Sequence, residues 1–181
     1  MSEIPYLGQN TDIILGQEFL TWLWFASDTR NGLFRKRDKA EFSLFMEQRI
    51  SVQGGEGESM ETATVSGALS RLREARLGLA TGKKVTRALV RMEQGADVWH
   101  CVLKAGDFSL SSLRTPKIDR KDGADQGDIE PDAALLEKVF LMEEATAFLD
   151  ELYGQFLSLR ISPAAWKEES ARIRDWIHQD I

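Results

Sequence analysis

Residues 84–105, "KVTRALVRMEQGADVWHCVLKA", contain two runs of β-branched and aromatic residues separated by "QGA". Residues of these types are enriched in strands, and a glycine between two such runs marks a turn. The segment therefore predicts two adjacent antiparallel strands. "FSLSSLRTP", residues 108–116, is expected to be a third strand that ends at Pro116, so that the three strands form a meander.

A hairpin is predicted before this meander. In "EFSLFMEQRISVQ", residues 41–53, apolar and polar side chains alternate as in a half-buried strand, with Phe45 as the exception. The loop "GGEG" then leads into "ESMETATVS", residues 58–66, which is expected to return as the second strand. The face predicted to be buried carries Phe42, Leu44, Met46, Ile50 and Val52.

Four helices are predicted around these strands. Residues 17–27 are apolar on nearly every side, which is typical of a buried helix. Residues 68–80 have apolar side chains at helical spacing, and Gly82 suits their C-terminal cap. A long helix begins near residue 132, and Ser162–Pro163 suit the start of a last helix. The long helix is expected to bury an apolar stripe made of Leu135, Val139, Met142, Leu149, Tyr153 and Phe156.

These elements predict an α+β fold, in which a small antiparallel sheet (a hairpin plus a meander) packs with an N-terminal apolar helix, a central helix and two C-terminal helices. Residues 1–118 are expected to form an α+β domain. Residues 119–131 are polar, acidic and glycine-containing, so we interpret them as a linker. Residues 132–181 are expected to be a C-terminal helical segment that packs on the same domain.

Charge and cysteine content narrow the functional classes. The formal charge is −6, yet residues 30–121 hold 18 Lys or Arg against 11 Asp or Glu, between acidic ends. The most apolar stretch is interrupted by Gln17 and Glu18 and is shorter than a membrane span. The start of the chain lacks the features of a signal peptide, and a single cysteine, Cys101, excludes an internal disulfide. We therefore expect a cytoplasmic protein.

The basic residues are concentrated in "RLREARLGLATGKKVTRALVR", residues 71–91. Several cations at tolerant spacing suit contacts to a phosphate backbone. The same residues also suit a solvated face, or a docking surface for an acidic protein partner. We consider both functions, a DNA-binding component and an interaction subunit. The candidate DNA-binding residues are Arg71, Arg73, Arg76, Lys83, Lys84, Arg87 and Arg91.

The helices carry more apolar surface than a small sheet is expected to cover, which predicts an interface with another subunit. The alternative is that the same side chains are buried within one chain. The candidate interface residues are Trp22, Trp24, Phe140 and Phe148.

No motif for an enzyme stands out. His100 and Cys101 are adjacent on a predicted strand and should therefore point to opposite faces, which makes a shared metal site or catalytic pair improbable. "GGEGESM" lacks the later glycine and the lysine of a phosphate-binding loop. We expect no enzymatic activity, no metal and no cofactor.

Six segments resemble, in order and spacing, the C-terminal half of the recombination-associated protein RdgC family. They are "EFLTWLWFASDTRNGLF", the approach from Glu61 to Ala68, "ATGKKVTRALVRM", "WHCVL", "SLSSLRTPK" and "VFLMEEATAFL". The resemblance covers roughly residues 17–160. It implies sequence-indifferent binding to duplex DNA in the nucleoid and restraint of RecA-type recombination by ring-shaped dimers. The N-terminal half of the family, with its basic region, has no counterpart here. The implied partners are therefore DNA and either a second copy or a separately encoded N-terminal half.

Overall fold

The computed structural model describes residues 12–54, 61–66, 69–117 and 131–179. It confirms the α+β fold, with a small antiparallel sheet and helices before, within and after it. Apart from Pro131, the residues of the expected linker lie outside the described part. The elements are α1 (Ile13–Thr29), β1 (Leu33–Arg35), β2 (Glu41–Gly54), β3 (Glu61–Ser66), α2 (Leu69–Ala80), β4 (Lys84–Gln94), β5 (Asp97–Lys104), β6 (Leu110–Arg114), α3 (Pro131–Arg160) and α4 (Pro163–His178).

All strand pairs in the sheet are antiparallel, and the strand order is β1-β2-β4-β5-β6 with β3 paired to β2. The expected hairpin is β2–β3, and the expected meander is β4–β5–β6. The short strand β1 was not anticipated; it pairs with the start of β2, while β3 pairs with the end of β2. β2 and β4 join the two parts of the sheet, with a register shift between Met46 and Ile50.

Helices cover one face of this sheet. In β4 the buried residues Val85, Ala88 and Val90 alternate with half-buried or exposed ones. α1 crosses the buried face over β2 and β4, where the Ser27 hydroxyl donates a 2.8 Å hydrogen bond to the backbone oxygen of Leu44. The less buried side chains of the central strands therefore point away from the helices.

Three of the four aromatic side chains expected at an interface lie inside one chain. Trp22 and Phe148 have no exposed surface, and Trp24 is 1% exposed. Trp22 packs against Phe156 of α3, Trp24 packs against Trp176 of α4, and Phe148 packs on aromatic rings of β2 and β5. The interface prediction is wrong for these three residues, because α3 and α4 cover Trp22 and Trp24 of α1, and β2 and β5 cover Phe148 of α3.

The beginning of α3 differs from the rest of the helix, because residues 133–140 are all exposed. The helix is anchored from Leu141 onward, where the Trp99 indole N–H donates a 2.9 Å hydrogen bond to the Leu141 backbone oxygen. Phe140, the fourth expected interface residue, is 58% exposed. We call the exposed apolar side chains of this part the α3 stripe: Leu135, Leu136, Val139, Phe140 and Met142.

The α3 stripe corrects the expected burial of the long helix. At about 100° of rotation per residue, the stripe lies opposite the side that carries Leu141 and Ala145, which are buried. The expected buried stripe is therefore right for Leu149, Tyr153 and Phe156. It is wrong for its first three residues, which are exposed because they lie beyond, or face away from, the elements that pack on α3. Among the described residues, no helix is both long and apolar enough to cross a membrane.

Candidate nucleic-acid interface

Five side chains that carry or can accept a positive charge come together on the sheet face opposite the helices. The register sets Arg87 of β4 against Lys104 of β5. Further along, it sets Arg91 of β4 against His100 of β5, which is paired in turn with Arg114 of β6. Because residues paired across strands project on the same side of a sheet, all five share one face. We call these five residues the cationic face.

The local sequence explains why β4 turns its arginines outward. Ala88 and Val90 are fully buried against the helices, so Arg87 and Arg91, at the alternate positions, face the other way. A tight turn then fixes the register of β5 against β4. Gly95 in this turn has φ 61°, a left-handed conformation that glycine adopts without strain.

Arg91 is held in one orientation by its neighbours. Its Nε donates a 2.8 Å hydrogen bond to Oε1 of Glu47 on β2, and its Nη1 forms an ion pair with Glu93. The guanidinium carbon lies 4.6 Å from the centre of the Phe45 ring, within the range of a cation–π contact. Arg91 is therefore a partly neutralised, pre-oriented planar group.

The other cations of the cationic face are more accessible. Arg87, Lys104 and Arg114 are all exposed, and Arg87 and Arg114 form no ion pair with any residue that the structure describes. Lys104 interacts with an acid in the following turn: the pKa of Asp107 is lowered, mainly by the backbone N–H of Ser109 and to a smaller extent by Lys104. The face is thus open to an anionic ligand.

Arg76 was expected to contact phosphate, but it is used inside the molecule. Its Nη2 donates hydrogen bonds to the backbone oxygens of Trp176 and Gln179 at the end of α4, the latter at 2.9 Å. Its guanidinium carbon also lies 4.7 Å from the centre of the Trp176 ring. A cation at a helix C-terminus satisfies carbonyls that the helix leaves unpaired. The expectation is corrected: Arg76 ties α2 to α4.

The two lysines before Val85 do not join the cationic face either. The stem of Lys83 packs over Gly54 and Gly78, close enough that a Cβ at either glycine would touch it. Lys84 is exposed, and it lines a groove of about 230 Å³ between α1 and α4. Ser51 of β2 pairs with Arg87, but the next residue, Val52, pairs with Val85, so β4 has one extra residue at this point. This bulge separates the two lysines from the regular part of β4.

The single surface expected from residues 71–91 is therefore not formed by the described side chains. Arg71 and Arg73 belong to α2, in a part of the helix where side chains are outside the description. Of the expected residues whose side chains the structure describes, only Arg87 and Arg91 reach the cationic face.

Sequence reasoning missed His100, Lys104 and Arg114 as members of the same surface. A signal for two of them was present in the sequence. A two-residue turn pairs Gln94 with Asp97, and each step back along β4 then pairs with one step forward along β5. This register sets Arg91 against His100 and Arg87 against Lys104.

The side chains of the adjacent His100 and Cys101 point to opposite faces of the sheet, as the alternation along a strand requires. Cys101 is fully buried, and burial raises the pKa of its thiol to about 12. Within the described part of the chain, no group of three or more His, Cys, Asp or Glu residues is arranged to hold a metal ion.

Comparisons of the chain with family models, with curated proteins and with solved structures found no match.

Proposed function

We propose that this chain is an RdgC-like, non-enzymatic component of DNA recombination or replication, and that it binds DNA without sequence preference. In this proposal the protein is cytoplasmic and associated with the nucleoid. The observation that supports the proposal best is the cationic face, where the strand register aligns cations from β4, β5 and β6 on one open surface.

Electrostatics favour an anionic ligand at this face. It holds four permanent cations against the two carboxylates that bind Arg91, although the whole chain has a formal charge of −6. Arg87 and Arg91 are four positions apart on β4, a distance of about 13 Å along the strand. A flat array of this size suits successive phosphates, because backbone contacts tolerate variable spacing and carry no sequence information.

Fluorescence anisotropy with a labelled duplex over a series of salt concentrations tests this function. Each phosphate neutralised adds about 0.9 to the log–log salt slope. The double variant Arg87→Gln and Lys104→Gln is therefore expected to weaken binding and to reduce the slope by about 1.8. The matched control is Lys167→Gln and Arg174→Gln on α4, which removes the same charge from exposed positions far from the cationic face. Absence of binding by the wild type at low salt, or equal losses in both variants, contradicts the proposal.

A second candidate function is an interaction subunit that binds a protein partner. The α3 stripe favours it, because contiguous exposed apolar side chains commonly mark protein interfaces. In this proposal the stripe binds a second copy of the chain or a separately encoded RdgC N-terminal half. In one version of this second function, an acidic protein and not DNA binds at the cationic face, so the chain does not bind DNA. The subunit function is favoured if binding of the protein partner is lost on substitution of Phe140 but is kept in the Arg87 and Lys104 variant.

A further inference from the structure

The cationic face carries a second pattern besides its charge, namely a row of planar side chains. Phe45 on β2 is paired in register with Arg91 on β4, Arg91 with His100 on β5, and His100 with Arg114 on β6. Neighbouring strands are about 4.8 Å apart, so the row places one planar group on each of four strands. Phe45, Arg91 and His100 are half-buried and Arg114 is exposed.

An apolar row separates this planar row from the cations at its other side. Leu89 is paired with Val102, midway between the Arg91–His100 pair and the Arg87–Lys104 pair. Leu89 is half-buried and Val102 is buried. The face therefore has three parallel rows: the planar groups, then the apolar pair, then the two exposed cations.

We propose that the cationic face binds unpaired nucleotides, whose bases stack on the planar row while their phosphates contact Arg87 and Lys104. This inference rests on the proposed nucleic-acid binding and specifies its substrate class. Unpaired bases offer their flat faces to aromatic rings and guanidinium groups, and such stacking tolerates any base. In a duplex the same faces are covered by the neighbouring base pairs, so stacking on the planar row contributes nothing to duplex binding.

The orientation of Arg91 supports stacking in particular. Its ion pairs with Glu47 and Glu93 satisfy much of its charge, so it is less suited to a phosphate than Arg87 is. The same contacts fix its plane beside the Phe45 ring, so little side-chain freedom is lost when a base packs against it. A sheet whose aromatic residues stack bases is also a common way to recognise single strands.

The test compares one 15-nucleotide mixed sequence as single-stranded DNA, as single-stranded RNA and as duplex DNA, at the same salt concentration. We expect a single strand to bind at least about tenfold more tightly than the duplex, because loss of one stacking contact alone corresponds to roughly that factor. His100→Leu and Phe45→Leu are each expected to weaken single-strand binding about tenfold and to leave the salt slope unchanged. Lys104→Gln is expected to lower both affinity and slope.

Each outcome separates the inference from the function on which it rests. Duplex binding as tight as single-strand binding, or unchanged single-strand affinity in both leucine variants, overturns the inference and leaves the proposed function in place. Absence of binding to all three ligands overturns both. If RNA binds more tightly than single-stranded DNA, the unpaired nucleotide remains the ligand and the ribose is identified as its preferred sugar. Phe45 packs close to Gly32, so its substitution disturbs a tight contact. If Phe45→Leu fails to fold, the His100→Leu variant decides the test.

Discussion

The indole N–H of Trp22 donates a 3.1 Å hydrogen bond to Oε1 of Glu169, two residues that are 147 positions apart in the chain. Trp22 has no exposed surface and Glu169 is 5% exposed. The second carboxylate oxygen of Glu169 accepts a 2.8 Å hydrogen bond from Arg172. One buried carboxylate thus connects α1 to α4 and satisfies an indole that α1 brings into the core.

Removal of this carboxylate is expected to destabilise the protein. Glu169→Ala leaves the indole N–H of Trp22 buried without an acceptor and removes the partner of Arg172, so we expect a loss of about 2–3 kcal/mol. Trp22→Phe removes the donor, and because Arg172 still pairs with Glu169, the loss from this contact should be smaller, about 1–2 kcal/mol. Urea denaturation followed by circular dichroism measures both. A double variant whose losses are fully additive would show that the two residues are not coupled.

Arg76 is expected to affect stability and not nucleic-acid binding. Arg76→Gln removes the hydrogen bonds to the end of α4 and the stacking on Trp176, so we expect a loss of about 1–2 kcal/mol. The salt slope of DNA binding should equal that of the wild type, because this guanidinium is occupied within the chain. The comparison with Arg87→Gln, for which the opposite pattern is expected, is made by urea denaturation and anisotropy on both variants. A reduced slope in Arg76→Gln would contradict the assignment.

The α3 stripe is expected to control assembly without contributing to the core. Phe140→Ser should change the free energy of unfolding by less than about 0.5 kcal/mol, because the side chain is exposed. It should also reduce self-association, or the binding of a coexpressed RdgC N-terminal half, measured by light scattering across a concentration range. Phe148→Ala is the contrasting variant, with an expected loss of about 3–5 kcal/mol because its ring is buried in the core. A wild-type chain that is monomeric at all concentrations and ignores the partner would exclude a role of the stripe in assembly.

Cys101 makes stability depend on pH in the alkaline range. Burial raises the pKa of its thiol from the ordinary 9.0 to about 12 in the folded protein. Above pH 9 the thiol ionises in the unfolded chain but stays protonated in the folded one, so stability falls as pH rises toward 12. At pH 10 this loss is about 1.4 kcal/mol relative to pH 8. Cys101→Ala should lack this component, and urea denaturation at both pH values compares the two proteins. Equal losses in both would contradict the buried-thiol explanation.

Local sequence was sufficient for most of the secondary structure. Strands β4 and β5 are rich in β-branched and aromatic residues, and α1 is a run of residues apolar on nearly every side, so each element is specified by its own sequence. The tight turn at Gly95 also determined the register of β4 and β5. By contrast, β1 has three residues, too few for a recognisable sequence pattern. It is a strand because it pairs with the start of β2.

The candidate site could also be predicted only in part from local sequence. The sequence included Arg87 and Arg91 among the candidates, and their spacing of four positions on one predicted strand puts them on the same face. It did not separate Arg76 from them, because the hydrogen-bond acceptors of Arg76 lie at Trp176 and Gln179, about one hundred residues away. The addition of Arg114 to the surface likewise depended on the pairing of β5 with β6.

The burial of apolar side chains is where sequence and tertiary structure differ most. The sequence determined that α1 and α3 are apolar and therefore require partners. Only the tertiary structure decided that Trp22, Trp24 and Phe148 find those partners within the chain, whereas Phe140 does not. The physical reason is that burial depends on which surfaces the fold brings together. α3 and α4 cover α1, but α3 extends beyond the elements that pack on its buried part, and no periodicity within the helix encodes where those elements end.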